Sequence, residues 1–250
     1  MRLSSNRDHV ATMSLKPFAL VVPCTTGLSA ALTRGLLTKS GLPVYATYRK
    51  GNPEEVKNEL LRSLDGVDPS RLIMLHLDLR GESSIRSAAE RLGEMLPCNS
   101  YLQTGFFAGG ALLNPEKQPE DIDLAIVRET FDANVISQLL LMKHFSRFLP
   151  SASMSRALSD RPLAKWVHIT TRVGSIGDNS KGGWYSYRAS KAASDQAMHT
   201  FDLHLKRENR HAMAAGVHPG TAEHVLDVVE GLKANQRGRI WDWAGNEVVW

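Results

Sequence analysis

Residues 18–50 read FALVVPCTTGLSAALTRGLLTKSGLPVYATYRK. The stretch opens on Phe18-Ala19-Leu20-Val21-Val22, a short unbroken apolar run that reads as a buried strand. Leu28 to Leu37 reads as a helix, opened by Thr25-Thr26-Gly27. Gly41-Leu42-Pro43 marks a turn, and Val44-Tyr45-Ala46-Thr47-Tyr48 is the next strand. One strand, one helix and a second strand in this space make a crossover unit, and the fold follows from whether the pattern repeats.

It does. Asn52-Pro53-Glu54-Glu55 starts a helix, with Asn52 as N-cap and Pro53 at the first position. Leu72 to Leu77 is a strand, Ser83 to Leu96 a helix, and Leu102 to Phe107 a weak strand broken by Gly105. Ile122 to Leu149 is one long helix or two. Trp166 to Ile169 is a strand, Tyr187 to Lys206 a helix, and Met213 to Val217 a strand ending at His218-Pro219-Gly220. Ser151 to Arg161 is polar and serine-rich, and reads as a surface insertion. This alternation predicts an α/β domain: a doubly wound parallel sheet of Rossmann type, covered on both faces, with ligands beyond the carboxyl ends of its strands. No linker or internal repeat interrupts residues 17–250, so one domain is expected after a flexible polar tail over residues 1–16.

Composition narrows the function. The chain has 250 residues, 42% apolar and 22% charged, as an ordinary globular protein does. Its net charge of +4 is spread out, which argues against a nucleic-acid groove. No apolar run is long enough to span a bilayer. Cys24 and Cys98 have no metal-ligand spacing, so a reducing, cytoplasmic setting and no metal are expected.

The segment Tyr185-Ser186-Tyr187-Arg188-Ala189-Ser190-Lys191 carries the chemistry. Positions i and i+4 share a helix face, so Tyr187 and Lys191 stand one above the other. An ammonium beside a phenol favours the phenolate and lowers its pKa, and such a tyrosine exchanges protons with a carbonyl or alcohol oxygen. By itself the pair fits a plain amphipathic helix better, because both residues are common. At the other end, Val22 to Ala31 keeps only Gly27 of a glycine-rich phosphate turn. Thr25, Thr26 and Leu28 flank it; the small side chains of Thr25, Thr26, Ser29 and Ala30 allow close approach of a pyrophosphate, or the segment is an ordinary turn with a threonine cap. Arg49 and Lys50 follow the second strand about twenty residues past Gly27, where an acid would grip a ribose hydroxyl and a cation a 2′-phosphate. They suit NADP rather than NAD, or form a solvated basic turn. Asp78 ends the third strand, to accept from an adenine amine or to cap a helix.

With these pieces in order, the chain resembles the short-chain dehydrogenase/reductase family, in a form similar to the fungal members of its C-factor-like carbonyl reductase branch. The resemblance runs from Phe18 to Trp250 and is most specific at 44–49, 172–177, 182–191 and Val217-His218-Pro219-Gly220-Thr221. It implies a tetrad. Tyr187 would be the acid/base, Lys191 would bind the nicotinamide ribose, and Asn134 would hold a relay water. Thr171, in Ile169-Thr170-Thr171, stands where the family has serine, with Ser175 as a fallback. Ala108 and Gly109 would wall the adenosine, and Pro219, Gly220 and Thr221 would contact the cofactor. The implied activity is NADP(H)-dependent hydride transfer to or from a small carbonyl or alcohol, by a homodimer or homotetramer without nucleic-acid or membrane partners. Three departures accompany it. The glycine turn is worn. Phe106-Phe107-Ala108-Gly109 replaces Asn-Asn-Ala-Gly. The substrate lid is missing after Thr221, where the last helix follows at once. A catalytically weak protein that binds NADP or another protein is therefore the alternative expectation.

Overall fold

A computed structural model of the chain describes residues 14–25 and 27–250. The tail expected over residues 1–16 lies outside the described residues up to position 13, as does Thr26. Lys16 already belongs to the first strand, which corrects the boundary of that tail.

The elements follow the sequence pattern closely: β1 (Lys16–Val22), α1 (Gly27–Lys39), β2 (Val44–Tyr48), α2 (Pro53–Leu61), β3 (Leu72–His76), α3 (Glu82–Met95) and β4 (Ser100–Phe107). Next come α4 (Leu124–Phe131), a π turn (Asp132–Ile136), α5 (Ser137–Phe145), the short α6 (Ala152–Ser155) and β5 (Ala164–Ile169). The chain continues with α7 (Tyr185–Arg207), β6 (Ala212–Val217), α8 (Ala222–Gly231), β7 (Ile240–Trp241) and β8 (Glu247–Val248). The strands form one sheet in the order β3-β2-β1-β4-β5-β6-β7-β8. Every pairing is parallel except the last, β7 with β8. The order reverses between β1 and β4, and a crevice opens at such a switch point.

Burial on two faces explains the apolar strands. Along β1, Phe18, Leu20 and Val22 enter one core with α3, α5 and α7, while Ala19 and Val21 enter another with α1 and α8. The two-residue period of a strand divides the run between the layers. Phe106 and Phe107 divide in the same way. Phe107 stacks on Trp166 with centroids 3.5 Å apart and planes 13° apart. The aromatic pair is thus core filling, worth more than its buried area alone.

One expectation is corrected and two are made more definite. First, β4 is continuous through Gly105. A Cβ there would stand 2.8 Å from the Phe107 ring, so the bare backbone makes room for the stacked pair. The ladder slips instead at Gln103, opposite Phe18 and Ala19. Second, the serine-rich stretch 151–161 lies on the surface as expected and is tied down there. It holds the short α6, buries Leu158 at 1% exposure, and bonds Ser155 Oγ to the Asn209 carbonyl at 2.9 Å. Third, of the alternatives of one helix or two, the structure has two α-helices joined by the π turn, with an extra residue in the turn.

Candidate active site

The functional side chains come from elements that end at one edge of the sheet. A cavity of about 320 Å³ lies there, lined by Ala108, Gly110, Thr171, Tyr187, Lys191 and Pro219 among others. It gathers the ends of β4, β5 and β6 against the first turns of α7.

The start of α7 is fixed from far away in sequence. Glu116, 2% exposed, accepts from the Ser186 hydroxyl at 2.5 Å, and its carboxylate oxygens lie 3.4 Å from the Ser186 amide. The Trp184 amide donates to the Glu116 carbonyl at 2.6 Å. A carboxylate suits the positive end of a helix. Arg188 ties the same turn to its surroundings, donating to the carbonyls of Gly183 at 3.0 Å and Val173 at 3.2 Å. Tyr187 therefore stands on an anchored turn, with the Trp184 ring edge-on at 6.2 Å.

Lys191 is buried, its Nζ 5.9 Å from the centre of the Tyr187 ring. Asn134 reaches the same place from the π turn and is fully buried. Its Oδ1 accepts the Ala111 amide at 2.7 Å, and its Nδ2 donates to the Ala111 carbonyl and the Ser190 hydroxyl, each at 3.0 Å. Gly110 marks the junction. Its φ is +155°, and a Cβ would lie 2.9 Å from Asn134 Oδ1 and 3.1 Å from Lys191 Nζ. Only a glycine lets Asn134 and Lys191 approach so closely.

Electrostatics departs from the expected tuning. The Tyr187 hydroxyl is pushed above its ordinary pKa, by burial first and by the Asp195 carboxylate second. Burial pulls Lys191 down, and Asp195 partly opposes it. The lowered phenol read from Tyr-x-x-x-Lys is thus corrected: burial, and after it the Asp195 carboxylate, set the direction.

The remaining predicted residues divide. Thr171 lines the cleft and heads the turn Arg172–Gly174, its Oγ1 3.5 Å from the Val173 amide. The Ser175 hydroxyl accepts the Asp178 amide at 3.0 Å, so this buried side chain braces the loop. Gly109 is buried, bonding Gln138 Nε2 through its carbonyl at 2.9 Å; a Cβ would come within 2.6 Å of Leu79. Thr25 and Gly27 are exposed, and a Cβ at Gly27 would meet open space, while Leu28 is half-buried. Arg49 and Lys50 are exposed at the end of β2. Asp78 neither caps a helix nor stands free. Arg80 grips it at 2.7 Å and, as the first cause, draws its pKa down to about 2. Thr221 is the N-cap of α8, accepting the His224 amide at 3.3 Å, and a Cβ at Gly220 would press on His224 and Trp243. Among the described residues no cluster of three or more His, Cys, Asp or Glu is placed to hold a metal ion, and no helix is long and apolar enough to cross a membrane.

Four important residues escaped the sequence reading. Gly110 had a visible signal, the doublet Gly109-Gly110. Glu116, His168 and Asp195 had none, because their burial depends on partners distant in the chain.

A mostly parallel sheet with its switch point beside a Tyr/Lys/Asn cleft is a Rossmann-like arrangement. No family model matches the chain. Among curated proteins it is 29% identical to the C-signal of Myxococcus xanthus over 147 residues, covering 52% of this chain and 82% of that protein. It is also 29% identical to the 1-hydroxy-2-glutathionyl-2-methyl-3-butene dehydrogenase of Rhodococcus sp. (strain AD45) over 144 residues, 58% of this chain and 56% of that one. Among solved structures, the carbonyl reductase Sniffer of D. melanogaster superposes with a TM-score of 0.80 at 20% identity, covering 94% of this chain and 100% of that one. The NADPH-bound carbonyl reductase from chicken fatty liver gives 0.77 at 23% identity with the same coverage. The fold of this chain is the one these reductases share, and its curated relatives are similar to it over about half of its length.

Proposed function

We propose that the protein is an NADP(H)-dependent oxidoreductase acting on a small carbonyl/alcohol pair. The observation that carries this reading is the convergence of Tyr187, Lys191 and Thr171 on one cleft, with Asn134 meeting Lys191 at Gly110. The described residues suit the cofactor: Lys191 and Tyr187 line the cleft where a nicotinamide ribose would lie, and the exposed Arg49 and Lys50 offer cations for a 2′-phosphate. Thr25, Gly27 and Leu28 would face the pyrophosphate at the start of α1, Ala108 and Gly109 the adenosine side, and Pro219, Gly220 and Thr221 the far side. Asp78 would contribute through its Arg80 pair. When bound, NADP(H) supplies the hydride to the carbonyl carbon or takes it back from the alcohol.

The chain's own residues manage the proton. In reduction, Tyr187 gives its hydroxyl proton to the substrate oxygen as the carbon becomes an alcohol; in oxidation it takes that proton back. A raised phenol pKa keeps Tyr187 protonated at neutral pH, which suits the reductive direction. Thr171 donates to the same oxygen and orients it. Lys191 holds the ribose and offers positive charge as Tyr187 loses its proton. Asn134 fixes the Ala111 backbone and, near Nζ, the place from which a proton is resupplied.

A second reading has its own observation. Thr221 passes directly into α8, which leaves no chain for a lid at this point. We infer a shortened lid, and an open cleft is wetter and weaker in its polar contacts. The protein would then bind NADPH with little turnover. Copies would pair through α4, α5 and α7, where Leu124, Leu139 and Leu203 are exposed, in a cytoplasmic setting that suits two free thiols.

The test is NADPH oxidation against a panel of aldehydes and ketones, with NADPH affinity measured in parallel. Turnover that drops by at least about 100-fold in Tyr187→Phe, with affinity retained, supports the enzyme. Tight NADPH binding with no turnover across the panel selects the binding protein.

A further inference from the structure

Asp195 lies four residues beyond Lys191 and eight beyond Tyr187, on the same stripe of α7. It is 1% exposed. Its Oδ1 is 3.8 Å from His168 Nε2 at the end of β5, a residue with no exposure. Gly174 covers it from the loop that carries Thr171: a Cβ there would stand 2.8 Å from Asp195 Oδ2 and 2.9 Å from Lys191 Cβ. Neither carboxylate oxygen has a hydrogen-bond partner among the described residues, nor has Thr170 Oγ1 or His168 Nδ1. The Thr170 hydroxyl lies near enough to favour the carboxylate without the geometry of a full hydrogen bond. Burying a carboxyl so incompletely satisfied is costly, and packing alone does not account for it.

We propose that Asp195 is a positioning residue for the Tyr187–Lys191 pair: its carboxyl, set between His168 and Thr170 under Gly174, acts through the low-dielectric interior to hold the proton on the Tyr187 hydroxyl and the charge on the Lys191 ammonium. Both effects have the required sign. Asp195 raises Tyr187, and it raises Lys191 against the pull of burial. Burial, offset in part by Thr170 and Lys191, brings Asp195 itself up to about 7, so its charge changes in the neutral range.

The groups around it leave this control uncontested. His168 is held neutral, pushed down to about 3 by burial and then by Lys191. The Ser194 hydroxyl donates to the Lys191 carbonyl at 3.2 Å and so accepts from His168 Nε2 at 3.1 Å, which fixes the tautomer. Arg172, on the covering turn, is engaged by Asp178 at 3.0 Å and Asp242 at 3.6 Å. His199, one turn further along α7, bonds the Gly238 carbonyl at 2.7 Å. Lys191 and Tyr187 are left as the partners on its own helix.

The catalytic consequence rests on the oxidoreductase reading, whereas the electrostatic coupling does not. The experiment is a 13C NMR titration of labelled tyrosine, with Tyr187 assigned by its loss in Tyr187→Phe, compared between the native chain and Asp195→Asn. The Tyr187 midpoint is expected to fall by about half a unit to one unit when the charge is removed. The high-pH limb of kcat/KM for carbonyl reduction should move down equally. An unmoved midpoint overturns the inference. Should Asp195→Asn fail to fold, the native chain decides: a Tyr187 resonance that shifts through the 13Cγ titration of Asp195 supports the inference, and one that stays still through it overturns the inference. A shifted Tyr187 midpoint in a protein that turns over no carbonyl keeps this inference and removes the oxidoreductase reading. Turnover with an unmoved midpoint does the reverse.

Discussion

The two halves of the crevice are built differently. On the Tyr187 side the side chains are buried, bonded and crowded, and at Gly110 a single added methyl would reach both Asn134 and Lys191. On the Arg49 side the cations are exposed, the glycine turn has shrunk to Gly27, and a methyl there would touch nothing. Proton handling needs geometry fixed to fractions of an ångström, because misplacing a group by about 1 Å can cost about 100-fold in rate. Holding a phosphate needs only charge within reach, and loose side chains supply that.

The largest effect expected from this contrast is in stability against pH. Asp195 has a raised folded pKa, so its contribution is full below its unfolded value and is lost as pH rises towards about 7. His168 is the opposite: its folded pKa of about 3 makes its contribution full above its unfolded value and lost as pH falls. Between about pH 4 and 6.5 the two slopes oppose each other, and the native chain should show little net dependence from this pair. Asp195→Asn leaves His168 alone. Urea unfolding of that variant should then show stability rising across the window, by on the order of 4 kcal/mol. A flat profile would break the picture of a buried pair.

Gly110→Ala comes next. Its methyl falls between Asn134 and Lys191, and turnover should drop by about 100-fold, roughly 2.7 kcal/mol, while the far-UV spectrum is unchanged. Full activity in this variant would mean that the approach of the two side chains is incidental. Arg49→Ala tests the loose half. NADPH affinity should weaken by about tenfold and NADH affinity hardly at all, read by fluorescence titration. Equal losses would remove the phosphate clamp. Gly27→Ala should be the mildest, gaining stability by less than about 1 kcal/mol, because alanine suits a helix and the space is open. A tenfold loss of cofactor affinity there would show that the worn turn still needs its last glycine.

The same contrast explains what could be read without coordinates. The strands and most helices were legible because burial on two faces leaves unbroken apolar runs, as from Phe18 to Val22. Tyr187 and Lys191 were legible because both lie on one helix with local spacing. What failed was whatever depends on remote partners. Gly105 read as a break because its neighbour Phe107, stacked on Trp166 from another strand, was not visible in the local pattern. Asp195 read as an ordinary helical residue, since nothing in 187–206 reveals that His168 and Gly174 close over it. Lys191 was expected to lower the phenol, but the depth of the site reverses the sign. The π turn was invisible because it has the composition of any helix.

That turn has a consequence for how the site can be altered. Five residues, Asp132–Ile136, occupy a widened coil between two regular rods, so the rods are out of phase with one another. The placement of Asn134 is encoded in the length of the polypeptide as much as in the identity of its letters. Point changes can blunt the amide, but removing one residue from the coil would bring the rods back into phase and rotate the amide away with every neighbouring letter intact.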